Sequence, residues 1–163
     1  EYWSKGENFG WMQNGAWLGD IYRGKVKIEF DMMDNQTGAN LNGSVDFTSS
    51  EKEVFGFGDL ACLVRVHFDH GGFDARNGAA FDKIASVPCD QNVTYHIDLE
   101  IDLDNKVYSY WVTDPNGTKT QIADAFAFRE TAVDVDNIAQ VFVVSQHAND
   151  QLCMTNLKIY EMN

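Results

Sequence analysis

Positive charge is scarce in this chain. Twelve lysines and arginines stand against 25 aspartates and glutamates, a formal net charge of −13 over 163 residues. A phosphate-binding surface works by exchanging counterions for protein cations, so neither nucleic acid nor an anionic membrane surface is expected as a partner. Only two prolines occur, and the three cysteines, Cys62, Cys89 and Cys153, form no CxxC pair. That removes the zinc-ribbon and dithiol redox readings. A Cys62–Cys89 bridge and buried free thiols both stay open. No apolar run reaches the length of a membrane-spanning helix. The sequence also lacks GxSxG, HExxH, GxGxxG and the Walker phosphate loop, so the familiar catalytic signatures are absent.

What is present is period-two alternation. From Lys25 to Met32 every second residue is apolar and every intervening one is charged. Thr94 to Leu103 repeats the pattern: Tyr95, Ile97, Leu99, Ile101 and Leu103 share one side, and His96, Asp98, Glu100 and Asp102 share the other. A helix would scatter these residues around its circumference, whereas a strand gathers them on two opposite faces. Shorter runs at 60–68, 73–77, 107–113, 139–145 and 153–160 read as further strands, with 124–130 a strand or a short helical turn. Gly71-Gly72, Asp104-Asn105 and Asp114-Pro115-Asn116-Gly117 supply turns. Many short antiparallel strands and no amphipathic helix predict an all-β fold, a two-sheet antiparallel β-sandwich of jelly-roll type with little or no helix. Residues 1–163 are expected to form one domain, with the terminal strands side by side.

Aromatic residues make up 13% of the chain, and four of them are tryptophans. Flat indole faces pack against the C–H faces of sugars, while neighbouring polar groups take the hydroxyls. In Tyr108 to Thr113, Tyr108, Tyr110 and Val112 read as core and Trp111 as outward, a candidate stacking platform. Trp3, Trp11 and Trp17 lie in a Gly- and Asn-rich N-terminal stretch that lines a cleft rim or caps a sheet edge. Arg65 projects opposite Val64 and Val66, Asp74 and Arg76 share a face of the next strand, Asn77 follows, and Arg129 stands near the end of the DAFAFRE run. If the two strands pair, these groups form one polar cluster: forked donors for sugar hydroxyls or a uronate carboxylate, or a structural Arg–Asp network.

Carboxylates spaced by two, at Asp98, Glu100 and Asp102, are where a glycosidase would show itself, although any acidic strand face looks the same. His67, His70, His96 and His147 are scattered. His67 joins the candidate ligand set through its place near Arg65. No cofactor is expected; fragments such as Asp102 to Asn105 and Asp134 to Asn137 leave only a structural calcium open, since neither completes a calcium loop.

The runs DLACLVRVHFDHGGFDARNGAAF, VPCDQNVTYHIDLEIDLDNKVYSYWVTDPNGT and ADAFAFRE resemble concanavalin A-like, LamG-type jelly-roll domains appended to bacterial, including cellulosomal, plant-cell-wall-degrading enzymes. The resemblance covers residues 24 to 160 and is most specific at DARNG and YSYWVTDPNG. It implies a secreted, monomeric, non-catalytic carbohydrate-binding module joined to a catalytic domain. Carried over by position, Arg65, Asp74, Arg76, Asn77 and Arg129 fall on polar ligand positions and Trp111 on an aromatic one. The implied ligand is a plant polysaccharide, foremost a neutral β-glucan or hemicellulose such as xyloglucan or glucomannan. Pectic uronate is the alternative, as is a small jelly-roll lyase or glycosidase. The indole and the guanidinium groups are expected side by side in one groove.

Overall fold

The computed structural model describes residues 2–5, 12–51, 54, 57–145 and 151–162, with the side chains of 2–5, 12–14, 57 and 62 outside that description. Trp11, His147 and the side chain of Trp3 therefore lie outside it.

Among the described residues, twelve strands form two six-stranded antiparallel sheets. The first sheet contains β1 (Tyr2–Lys5), β12 (Gln151–Met162), β3 (Lys25–Asp34), β8 (Thr94–Asp102), β9 (Val107–Thr113) and β10 (Lys119–Ala127), in that spatial order. The second runs β2 (Met12–Tyr22), β11 (Ile138–Ser145), β4 (Asn42–Thr48), β5 (Cys62–His67), β6 (Gly72–Asn77) and β7 (Ala80–Asp82). As expected, the terminal strands β1 and β12 pair. The only helical pieces among the described residues are four three-residue 3₁₀ turns.

The alternation does what its physics requires. Val26, Ile28, Phe30 and Met32 of β3, Ile97, Leu99 and Ile101 of β8, and Tyr108, Tyr110 and Val112 of β9 are buried between the sheets. They meet Val45 and Phe47 of β4, Val64 and Val66 of β5, Phe73 and Ala75 of β6, and Val141 and Val143 of β11. Two core tyrosines also tie the sheets together by hydrogen bonds. Tyr110 donates its hydroxyl to the Asp74 carbonyl at 2.6 Å, and the Tyr108 hydroxyl lies 2.5 Å from the Arg76 carbonyl oxygen. Burial holds the Tyr110 phenol well above its ordinary pKa, so it stays a donor.

Local deviations have local causes. Phe68, which continues the row of Val64 and Val66 in sequence, is 41% exposed, because β5 stops at His67 and a 3₁₀ turn over Phe68–His70 follows. The His67 ring caps that turn by accepting the Asp69 N–H at 3.2 Å, and Gly71 closes it at φ +68°. The run at 124–130 resolves into the end of β10 followed by a 3₁₀ turn at Glu130–Ala132. Cys89 is a free, buried thiol, so no Cys62–Cys89 bridge forms, and Cys153 is buried in β12.

Candidate functional site

The outer face of the second sheet carries a polar cluster that hairpin register assembles. β4, β5 and β6 pair so that Ser44, Arg65 and Asp74 stand in one row, and β6 pairs with β7 so that Arg76 stands opposite Phe81. Arg65 grips Asp74 with two bonds, Nε to Oδ1 at 2.7 Å and the second guanidinium nitrogen to Oδ2 at 2.5 Å. Asp74 is fully buried, and His70 Nδ1 stands 2.7 Å from its Oδ2. The expected Arg65–Asp74–Arg76 cluster is present.

Phe81 organises the rest. The guanidinium carbon of Arg65 lies 3.3 Å from the centre of its ring, that of Arg76 at 4.9 Å and that of Arg129 at 5.9 Å. Arg129 arrives from the segment after β10, whose chain crosses from the first sheet to the second. Its N–H donates to the Ala61 carbonyl just before β5, which sets its position. A guanidinium stacked on an aromatic ring keeps its in-plane N–H groups available to other acceptors. Arg76 directs Nε to the Gly78 carbonyl at 2.7 Å, and no carboxylate among the described residues pairs with it. Burial, and next the neighbouring Arg76, hold the Arg129 guanidinium below its ordinary pKa.

Beside the arginines the same face turns apolar. Leu60, Leu63, Phe142 and Val144 form a second buried cluster against which Val54 and Phe81 pack. Asp46 of β4 is buried at its border, accepting the Ser44 hydroxyl at 2.7 Å on Oδ2 while Oδ1 has no partner. Burial pushes its carboxyl up to about 8, against the opposing pull of Ser44, Arg129 and Arg65. The native state therefore holds a proton on Asp46 that the unfolded chain releases near pH 4. Stability linked to this group is full at acid pH and is lost as pH rises towards about 8. Asp46→Asn, which cannot ionise, should gain in melting temperature relative to the parent protein between pH 5 and pH 9. A difference that stays flat or narrows as pH rises would contradict the assignment.

The remaining predicted residues fall in different places. Asn77 accepts the Ala127 N–H at 3.1 Å, clasping the end of β6 to the end of β10. His67 is the turn cap described above, and burial, followed by Arg65, lowers its pKa. Trp17 is 52% exposed on β2, alternating with Ala16 and Leu18, which pack on the core, and paired in register with Gln140. It shares the sheet with the arginines, although β11 and β4 intervene before β5.

Trp111 corrects the expected single groove. It points outward as its parity requires, but from the first sheet, beside Asp98 and Gln121 and with Lys119 Nζ 5.5 Å from its ring. The indole and the guanidinium groups thus occupy opposite outer faces of the sandwich. Around Trp111 the carboxylates are held by lysines: Asp98 meets Lys119 at 2.7 Å and Lys27 at 3.4 Å, and Glu29 meets Lys27 at 2.8 Å. Burial works against ionisation of Asp98, but Lys119 and Lys27 outweigh it and hold the pKa low. Asn105, helped by Lys25, does the same for Asp102. A glycosidase acid needs the opposite shift. Among the described residues, no group of three or more His, Cys, Asp or Glu side chains is placed to hold a metal ion.

Phe81, His70 and Asp46 were not singled out from the sequence. Phe81 sits in a three-residue strand too short for periodicity to register, and Asp46 reads as one more outward acid.

No protein-family model matches the chain. It is 32% identical over 130 residues, 73% of its length, to a gellan lyase from a Bacillus species, and spans 5% of that protein. Among solved structures it is similar to a sialidase (TM-score 0.68, 12% identical, 99% of this chain and 15% of that one). It is also similar to peanut lectin (0.62, 11%, 98% and 86%) and to the carbohydrate-binding module CBM66 from Bacillus subtilis (0.58, 15%, 96% and 99%). At these identities the likeness is one of fold. The chain has a jelly-roll fold of the kind found in lectins. Lectins, a binding module and parts of enzymes share that architecture, so the fold by itself does not choose among them.

Proposed function

We propose that this chain is a non-catalytic carbohydrate-binding module, one unit of a longer secreted protein, and that it holds a polysaccharide on the outer face of its second sheet. The observation that carries this reading is the convergence of Arg65, Arg76 and Arg129 on Phe81, on strands made rigid from beneath by Tyr108 and Tyr110. The shared fold with a carbohydrate-binding module of nearly the same length supports it, as does the sequence similarity to a small part of a gellan lyase. In such an arrangement Arg65 and Asp74 lock the frame, Arg76 and Arg129 supply donors, and an attached catalytic domain does the chemistry. Affinity gel electrophoresis tests the proposal. The protein should be retarded by at least one polymer in a panel containing xyloglucan, glucomannan, polygalacturonate, alginate and gellan. Unchanged migration in all of them would overturn it.

One observation favours a second reading. His70 beside Asp74 and Arg65 is a base-and-charge pair of the kind a polysaccharide lyase uses. Rising ultraviolet absorbance from unsaturated ends, on incubation with uronate polymers, would establish that reading instead. None is expected, because His70 and Arg65 both face a carboxylate sealed from solvent.

A further inference from the structure

We infer that the glycan taken by this face carries carboxylate groups, received between the guanidinium groups of Arg76 and Arg129 beside Phe81. The inference rests on the proposed binding function and names its ligand class. In a chain of net charge −13 with 12 basic residues, three arginines meet around one phenyl ring. Like charges gathered where Arg65 and Arg129 are buried and Arg76 is half-buried repel, and fewer desolvated cations would be needed if hydroxyl groups were the only target.

The local balance of charge points the same way. Asp74 neutralises Arg65 through both oxygens, faces His70 Nδ1 with Oδ2, and is fully buried. No described carboxylate pairs with Arg76. Asp46, the other buried acid here, is pushed up to about 8 and is largely uncharged at neutral pH. Lys83 adds a further cation, its ammonium bonded to the His70 carbonyl. Asp82 and Glu130, next to Phe81 and Arg129 in the chain, are exposed to water. An anion placed here offsets the desolvation of Arg129 and the repulsion from Arg76. Planar forked donors match the two oxygens of a carboxylate, which a neutral sugar does not present.

Net charge sets a second signature. The rest of the surface repels a polyanion at long range, and salt screens that repulsion beyond a Debye length of about 10 Å at 0.1 M. Short-range bonds at the buried Arg129 and the half-buried Arg76 are screened less. Affinity should therefore hold, or rise, between low and moderate salt.

The test uses polygalacturonate, alginate and gellan, each beside its carboxyl-reduced form, in titration calorimetry with the whole chain. At least one acidic polymer should bind, and carboxyl reduction should weaken it about tenfold or more, the scale of a lost charge-assisted pair. Arg76→Gln, at the half-buried rim, should reproduce that loss on the acidic polymer without lowering the melting temperature. Arg129→Gln serves as the second variant. Equal affinity for the native and reduced polymers, or binding to xyloglucan or a sulfated glycan alone, overturns the carboxylate inference and leaves glycan binding standing. Failure with every glycan, neutral ones included, removes both.

Discussion

Asp74→Ala is expected to lower the free energy of unfolding by about 3–5 kcal/mol, the usual cost of removing one partner from a buried ion pair. The carboxylate is fully buried, and its loss strands a guanidinium stacked on Phe81 under the same cover. Water cannot replace the missing oxygens without reopening the face. The neighbouring hydrogen bond from Tyr110 goes to the backbone carbonyl of residue 74 and survives the change, so the effect reports the side-chain contacts of Asp74, with Arg65 and with His70. Replacing both partners with apolar residues (Arg65→Met with Asp74→Leu) should cost less than Asp74→Ala alone, because no unpaired charge remains. The exposed pair Lys25–Asp102, at 3.5 Å on the opposite sheet, should contribute about 1 kcal/mol at most. Urea denaturation reads all three. A loss of under about 1 kcal/mol in Asp74→Ala would mean the pair is not sealed as described.

Gly72→Ala should be comparably damaging for a different reason. Gly72 opens β6 at φ +137°, a conformation that L side chains rarely adopt. A methyl group there would stand 2.1 Å from the Val87 carbonyl oxygen and 2.7 Å from the Pro88 Cα. Both are backbone atoms of a segment that Phe73 holds by an N–H bond to the Val87 carbonyl at 3.0 Å, so neither can swing aside. Backbone strain alone is worth about 1–3 kcal/mol, and the clash adds to it. Gly71→Ala, one residue earlier at φ +68° with open space around it, provides the control and should cost about 1 kcal/mol. Parity between the two variants, measured as thermal unfolding midpoints, would contradict the packing of the 87–89 segment on β6.

The two kinds of information in the sequence fared differently. Strands β3 and β8 were legible because each carries four or five alternations, and a charged residue on the wrong side would have to be buried. β4 holds only Val45 and Phe47 as inward markers, and β7 is three residues long, so neither announces itself by period. Within the site, the Arg65–Asp74 pairing was legible because a short turn joins their strands and fixes the register. Sheet membership was not. Parity says that Trp111 faces outward, but which of two outer faces it joins depends on β8 pairing with β3, far earlier in the chain, a long-range choice that local pattern does not encode. The contribution of Phe81, and the proton held by Asp46, follow from burial under neighbours distant in sequence. The resemblance to concanavalin A-like domains carried the architecture, and the structure carried the location of the charge.

The placement of the ligand on the arginine-bearing face is best tested by backbone NMR during titration with oligosaccharides of whichever polymer retards the protein. Amide shifts should change in β6 and β7 and around Arg129, from Arg76 through Phe81, while the amides flanking Trp111 and Lys119 stay still. Perturbation centred on Trp111, with Arg76, Phe81 and Arg129 unmoved, would put the glycan on the first sheet and contradict the account.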